Sequence, residues 1–285
     1  DFSAWPPKEA SDELFLLSKG SLSPGSDEHP SSPRSEGSSR FTYDPLKPTP
    51  SLGGHVFSPW QAGEKEQNSS EKRDDMLLFD SEEFLVDHVL VGRARLRLFL
   101  KSSSPQFDVF ARICDVHPNG QSFNVCDGVL RLRGLKERAW SHHEVSDSQV
   151  RSAKACPVRD ARDVAERTEM IELVFTGVAK RFKAGHKMRL QVSCAAYPRF
   201  ARHFCDAEQA FEKDPLEVTP CSLAVLHSEQ TPSALWLPVL PADTGIEVSP
   251  RRRLQEAAAK WPVRPRRQAM PDFGMRKITS EAGLR

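Results

Sequence analysis

A serine, a histidine and a carboxylate make a nucleophilic triad, and Ser193, His186 and Asp115 are the nearest candidates in this sequence. Each also has an ordinary explanation. Ser193 falls on the polar side of a strand-like run, His186 sits in a turn, and Asp115 and His117 frame a hairpin. The G-x-S-x-G elbow, which exposes a serine at the top of an α/β sheet, occurs nowhere in the chain. No catalytic residue is therefore expected. Gly53-Gly54 is followed by neither a helix nor a lysine, so it does not read as a phosphate cradle. His142-His143 lies in a polar stretch without a third ligand nearby. Cys114, Cys126, Cys156, Cys194, Cys205 and Cys221 form no CxxC pair, and zinc sites need paired ligands on tight turns. No metal and no cofactor are expected. Six cysteines are too sparse for a disulfide scaffold, and they read as reduced, half-buried thiols of a cytoplasm-like compartment.

The elements that must carry these residues are strands. The chain has 285 residues with 40 basic against 39 acidic side chains, a balance too even to gather nucleic acid. No run of eighteen apolar residues exists, so no membrane-spanning helix is expected. Twenty-two prolines and fifteen glycines suit a chain of turns and strands. Period-two patterns recur at Leu90 to Leu100, Phe107 to Ile113, Leu130 and Leu132, Ile171 to Phe175, and Met188 to Cys194. Leu223 to Leu226 and Leu235 to Leu240 read as closing strands, and Leu14 to Leu17 as one isolated strand. Pro118-Asn119-Gly120, Asp127-Gly128 and Ala184-Gly185-His186 read as turns. Helical signal is confined to 158–168 and 201–212. The expected fold is all-β, an antiparallel jelly-roll sandwich over 73–240. Arg93, Arg95, Arg97, Arg131 and Arg133 are expected to share an outer face that docks an acidic or polar neighbour. Residues 18–40, with nine serines, read as a flexible insertion, and 41–72 as an extended surface segment and linker. The tail, 241–285, is read as a disordered extension; its stretch 250–285 carries ten basic and three acidic residues.

These residues resemble a known family. Phe41 to Gly54, FTYDPLKPTPSLGG, is similar to the YDP…PTP…GG segment of the X-Pro dipeptidyl-peptidase and cocaine-esterase-type serine hydrolases. Arg73 to Ser81 resembles their R-x-D-V-L strand, and Gly92 to Ser104 the strand after it. Asp115 to Gly120 is similar to D-V-x-P-D-G, and Asp127 to Arg131 to D-G-x-x-R. Phe182 to Leu190 resembles F-x-x-G-H-R-x-R, Tyr197 to Phe200 the fPRF motif, and Pro232 to Val239 the closing PS…LPV. The order is kept across roughly 41–240. After Phe200 the chain departs, since Ala201 to Cys205 replaces an Asn-rich loop.

The resemblance implies the family's C-terminal domain, a galactose-binding-like jelly roll that packs on an α/β-hydrolase domain and helps wall its substrate pocket. The catalytic Ser, Asp and His of that family lie upstream of the matching region, so none is carried over here. Residues 1–17 then read as the bridge from an upstream hydrolase domain, the partner the resemblance implies. Tyr43, Asp44, Pro45, Pro48, Pro50, Gly53 and Gly54 are the residues expected at that interface. An alternative is a stand-alone carbohydrate- or protein-binding module, with Trp140 and Trp236 as candidate platforms. A third is a convergent hydrolase using Ser193.

Overall fold

The computed structural model describes residues 5–25, 37–58, 60–104, 106–132, 140–141, 168–205 and 218–241. Their regular structure is β throughout, apart from one 3₁₀ turn at Ser70–Lys72. The strands are β1 (Ser11–Ser18), β2 (Ser21–Pro24), β3 (Ser38–Tyr43), β4 (Met76–Asp80), β5 (His88–Gly92), β6 (Arg95–Ser102) and β7 (Phe107–Val116). Then come β8 (Ser122–Leu132), β9 (Trp140–Ser141), β10 (Glu169–Val174), β11 (Val178–Phe182), β12 (Lys187–Ser193), β13 (Cys221–Leu226) and β14 (Ala234–Leu240). All belong to one unit, Asp1–Thr244; the remainder of the basic tail lies outside the described residues.

The hydrogen-bonded path runs β3-β13-β6-β14-β1-β2-β4-β12-β7-β8-β9. It falls into two antiparallel sections joined by a single parallel bridge, Ser21 to Asp80. In the first, β6 is the hub. β10 covers one edge of it from Arg95 to Leu100. β13 and β14 share the other edge, meeting Phe99–Ser102 and Arg95–Arg97 respectively. Where they change over, Ser233 Oγ accepts the Phe99 amide at 3.0 Å, so no ladder donor is stranded. The second section is β4-β12-β7-β8-β9.

Alternation dictates which side chains close the core. Leu96, Leu98 and Leu100 of β6 are each at most 1% exposed, as are Leu190 and Val192 of β12. Burying each such side chain is worth about 1.5–3 kcal/mol. The two sections meet where Gly128 of β8 lets Leu173 of β10 approach; a Cβ on Gly128 would stand 2.4 Å from Leu173 Cδ2. The result is an all-β sandwich, as the period-two runs require.

Several local expectations change. Asp127-Gly128 is not a turn but the middle of β8, because Asp127 is held inward by arginines and Gly128 by Leu173. Leu14 to Leu17 is not isolated: β1 pairs with β14 on one side and β2 on the other. The stretch 18–40 is strand at both ends, with a β1–β2 hairpin turning at Gly20 (φ +74°) and β3 starting at Ser38. Residues 26–36 lie outside the described residues, as do 158–167 and 206–212 of the two helical expectations; 201–205 is non-helical. The turns at Gly120 and Gly185 form as expected, both with positive φ.

Candidate functional site

The segment from Thr49 to Gln67 lies against β7 and β8, and a buried arginine in the middle of β7 holds it there. Arg112 of β7 and Asp127 of β8 are direct cross-strand partners. Both are buried, at 2% and 3% exposure. Arg112 Nη2 donates to Asp127 Oδ2 at 3.3 Å. Arg112 Nη1 donates to the Leu52 carbonyl at 2.8 Å and to Gln67 Oε1 at 2.7 Å. Arg199 Nη1 adds a second charge-assisted bond to Asp127 Oδ2 at 2.7 Å. One carboxylate thus faces two guanidiniums in a dry setting, where an unpaired charge is costly.

Gly53 and Gly54 are the close approach. Both have positive φ, +77° and +78°. A Cβ on Gly53 would stand 2.5 Å from Asn124 Oδ1, and one on Gly54 2.7 Å from Asp127 Oδ2. Gly54 and Gly63 exchange backbone hydrogen bonds of 2.8 and 3.0 Å, closing the loop between them. Gln67 Nε2 donates to the Leu52 and Lys65 carbonyls, both at 3.0 Å, and Lys65 N to Asn124 Oδ1 at 2.7 Å. Further back, Thr49 Oγ1 donates to Asp75 Oδ2 at 2.8 Å, and Arg73 grips the same carboxylate with two bonds. That carboxylate raises the Arg73 pKa.

The clamped segment presents two aromatic side chains outward: Phe57 is fully exposed and Trp60 is 85% exposed. Leu46, just before it, and Tyr197, bridged to its Pro50, are each 46% exposed. Beside Phe57 opens a pocket of about 520 Å³, lined by His55, Val56, Gly128, Thr176, Arg199 and Phe200 among others. A rigid polar base with aromatic groups left in water is what a docking face needs.

The residues expected at an interface are held to different degrees. Tyr43, Pro45 and Gly53 are buried, Asp44, Pro48 and Gly54 half-buried, and Pro50 exposed. Tyr43 donates its hydroxyl to the His203 carbonyl at 3.0 Å, and burial pushes its pKa up. Asp44 Oδ1 accepts the Leu46 amide. Pro50 bridges Tyr197 in parallel.

Two of the three triad candidates do meet: His186 Nδ1 lies 2.7 Å from Asp115 Oδ1. Ser193 does not join them. It is buried, donates to the Ala195 carbonyl, and pairs with Phe110, whereas Asp115 pairs with Met188. Five residues of strand put Ser193 roughly 17 Å away. The described arginines of that set do not form one row. Arg95 meets Asp12, Arg97 meets Glu172, and Arg131 on the other section meets Asp108. Arg133 lies outside the described residues, as does the His142-His143 pair. Trp236 is a poor open platform, because the guanidiniums of Arg95 and Arg97 lie 5.6 and 4.9 Å from its ring centre. Of the cysteines, the five described are free thiols; four are buried and Cys205 half-buried.

Arg112, Arg199 and Gln67 were not readable as partners. The available signal was Arg112 itself, a charge inside a wholly buried ten-residue strand, FDVFARICDV.

The all-β domain matches a described family. Residues 1–232 match the model of the X-Pro dipeptidyl-peptidase C-terminal non-catalytic domain, and the chain belongs to that family. It is 29% identical over 210 residues to the cocaine esterase of Rhodococcus sp. (strain MB1 Bresler), covering 72% of this chain and 33% of the esterase. Among solved structures it resembles an aminopeptidase from a marine sediment Thaumarchaeota archaeon, with TM-score 0.65, 18% identity, and coverage of 84% of this chain and 38% of that one. It also resembles an α-amino acid ester hydrolase, with TM-score 0.59, 19% identity, and coverage of 80% and 36%. The chain therefore spans about a third of the length of the curated relative it matches.

Proposed function

We propose that this chain is the C-terminal β-domain of a serine hydrolase acting on an acyl ester or an X-Pro peptide bond. It packs on an α/β-hydrolase domain of the same polypeptide and walls part of the substrate pocket. The observation that carries this reading is the exposed pair Phe57 and Trp60 on a segment locked by the Arg112–Asp127–Arg199 cluster, with exposed Leu46 just before that segment and exposed Tyr197 bridged to its Pro50. Interdomain faces typically bury about 600–1,500 Å², enough to cover such a group. In the whole enzyme a serine outside this chain attacks the acyl carbon, a histidine moves the proton and an aspartate orients the histidine. Tyr43, Asp44, Pro45, Pro48, Pro50, Gly53 and Gly54 serve by shaping the segment, with Pro50 and the exposed aromatic groups making the contact.

The test is the natural protein. An antibody to residues 73–240 should detect a species well above 32 kDa that a fluorophosphonate probe labels, while the 285-residue chain alone stays unlabelled. A natural species near 32 kDa, or labelling of the isolated chain that Ser193→Ala removes, would overturn the reading.

A further inference from the structure

Three side chains able to ligate a metal meet at the C-terminal end of β7, three residues beyond Arg112 on that strand. Asp115 is the penultimate residue of β7, His117 opens the β7–β8 turn, and His186 closes the β11–β12 turn. Asp115 Oδ1 lies 2.7 Å from His186 Nδ1, and Asp115 Oδ2 lies 3.7 Å from His117 Nε2. One donor atom from each residue lies within 4.8 Å of the other two. The imidazole centres are 4.4 Å apart, and the Phe123 ring stands 4.9 Å from that of His117. The Asp115 side chain is 3% exposed, His186 12% and His117 35%, so the group is buried on one side and reachable on the other.

We propose that Asp115, His117 and His186 form a binding site for a divalent transition cation, with zinc the best fit. Two imidazoles and one carboxylate are the donor set of three-ligand zinc sites, which leave a fourth position for water. Bonds near 2.0–2.1 Å at tetrahedral angles put ligand atoms about 3.3 Å apart. With Oδ1 as the ligand atom the His186–Asp115 pair must therefore open by about 0.6 Å, and His117, 3.7 Å from the other oxygen, must turn toward the same ion, changes within reach of side-chain rotation. Bound there, the ion ties the β7–β8 turn to the β11–β12 turn, beyond the last rung of the β7–β12 ladder.

One cation already faces the site. Lys180 Nζ lies 3.2 Å from Asp115 Oδ2, and its other partner is Glu64 Oε1 at 2.8 Å. A divalent ion displaces that ammonium from Asp115 and leaves it on Glu64. Lys180 is thus a competitor, and the proposal makes a directional prediction that a merely structural Asp–His pair does not: removing the lysine charge strengthens metal binding.

The experiment is a Zn²⁺ titration of the tag-free 285-residue chain at pH 7.5 in competition with a chromophoric chelator, repeated with His117→Ala and Lys180→Met. Thermal melts without metal establish that each variant folds; His117 is exposed enough for its loss to be tolerated. His117→Ala should weaken binding by at least the ~10–100-fold that losing an outer partner of a metal ligand costs. Lys180→Met should tighten it several-fold. Co²⁺ should show tetrahedral d–d absorption that His117→Ala abolishes. Absence of saturable binding, or binding that His117→Ala leaves unchanged, would overturn the assignment and place any metal at the cysteines or other histidines.

Discussion

Replacing Asp127 by asparagine tests whether the buried ionic cluster holds the 49–67 segment. The side chain keeps its shape but loses the charge that faces two guanidiniums, at 3.3 Å for Arg112 and 2.7 Å for Arg199. Arg199 is 12% exposed and can turn toward water, whereas Arg112 is 2% exposed and cannot. Breaking a buried pair from one side costs roughly 3–5 kcal/mol. Arg112 keeps the Leu52 carbonyl and Gln67 Oε1, so the lower end, about 3 kcal/mol, is expected. With an m-value of about 3 kcal/mol/M, the urea midpoint falls by roughly 1 M. Hydrogen exchange should quicken first at the amides of Gly54, Gly63 and Lys65, whose acceptors depend on this packing. A double-mutant cycle with Arg112→Met should give a coupling of at least ~1 kcal/mol. A loss below ~1 kcal/mol, or single effects that simply add, would refute the idea that this carboxylate holds the segment.

Gly53→Ala should cost about 2–3 kcal/mol in urea unfolding, combining positive φ with the 2.5 Å approach to Asn124, whereas Gly120→Ala, with φ +83° and open space, should cost about 1 kcal/mol; equal losses would mean the clash is absent. Burial pushes the Cys114 thiol from 9.0 up to about 12, and Cys126 and Cys194 also upward. These thiols ionise at about pH 9 in the unfolded chain and stay neutral when folded. The stability they confer is therefore complete below pH 9 and lost as pH rises toward 12, by about 1.4 kcal/mol per thiol at pH 10. Melts at pH 8 and 10 should differ accordingly, and Cys114→Ala should flatten the slope; a slope the variant leaves unchanged would reject the assignment. Phe57→Asp should leave the stability of this chain within ~0.5 kcal/mol, since the side chain is fully exposed, yet lower the activity of the complete enzyme; unchanged activity would remove Phe57 from the docking face.

The strands with a period-two pattern were legible. β6 alternates arginine with leucine over Arg95–Leu98, β12 alternates methionine, leucine and valine with arginine and glutamine, and the period places both, although Gln191 and Ser193 of β12 are buried. β11, VAKRF, carries too few apolar residues to show a period and forms because β5 offers it a full edge. β2 and the start of β3 lie in serine-rich sequence and are strands through their partners, β1 and β13. Asp127-Gly128 is among the strongest hairpin signals, and tertiary burial overrode it. The site residues were less legible for a reason of distance. Arg112 and Arg199 reach one carboxylate from different elements, and Asp115 meets His186 across 71 positions of chain. Such meetings follow from register, which no local pattern encodes.

That register has its own physical cause in β7. The strand is buried along its whole length, yet it carries Asp108, Arg112 and Asp115. Asp108 stands directly opposite Arg131 and Arg112 directly opposite Asp127, and both pairs form ion pairs. Asp115 pairs with Met188, two residues beyond His186. A slip of one residue between β7 and β8 would turn both cross-strand partners to the opposite face and strand two buried charges, at several kcal/mol each. Hydrophobic alternation cannot fix this strand, because both of its faces are dry. Its charges can, and by fixing it they also fix where Leu52, Gln67 and the aromatic groups of the overlying segment emerge. The exposed aromatic surface is therefore set by the same ion pairs that choose the sheet register, and a change at Asp127 is felt at the surface as well as in the core.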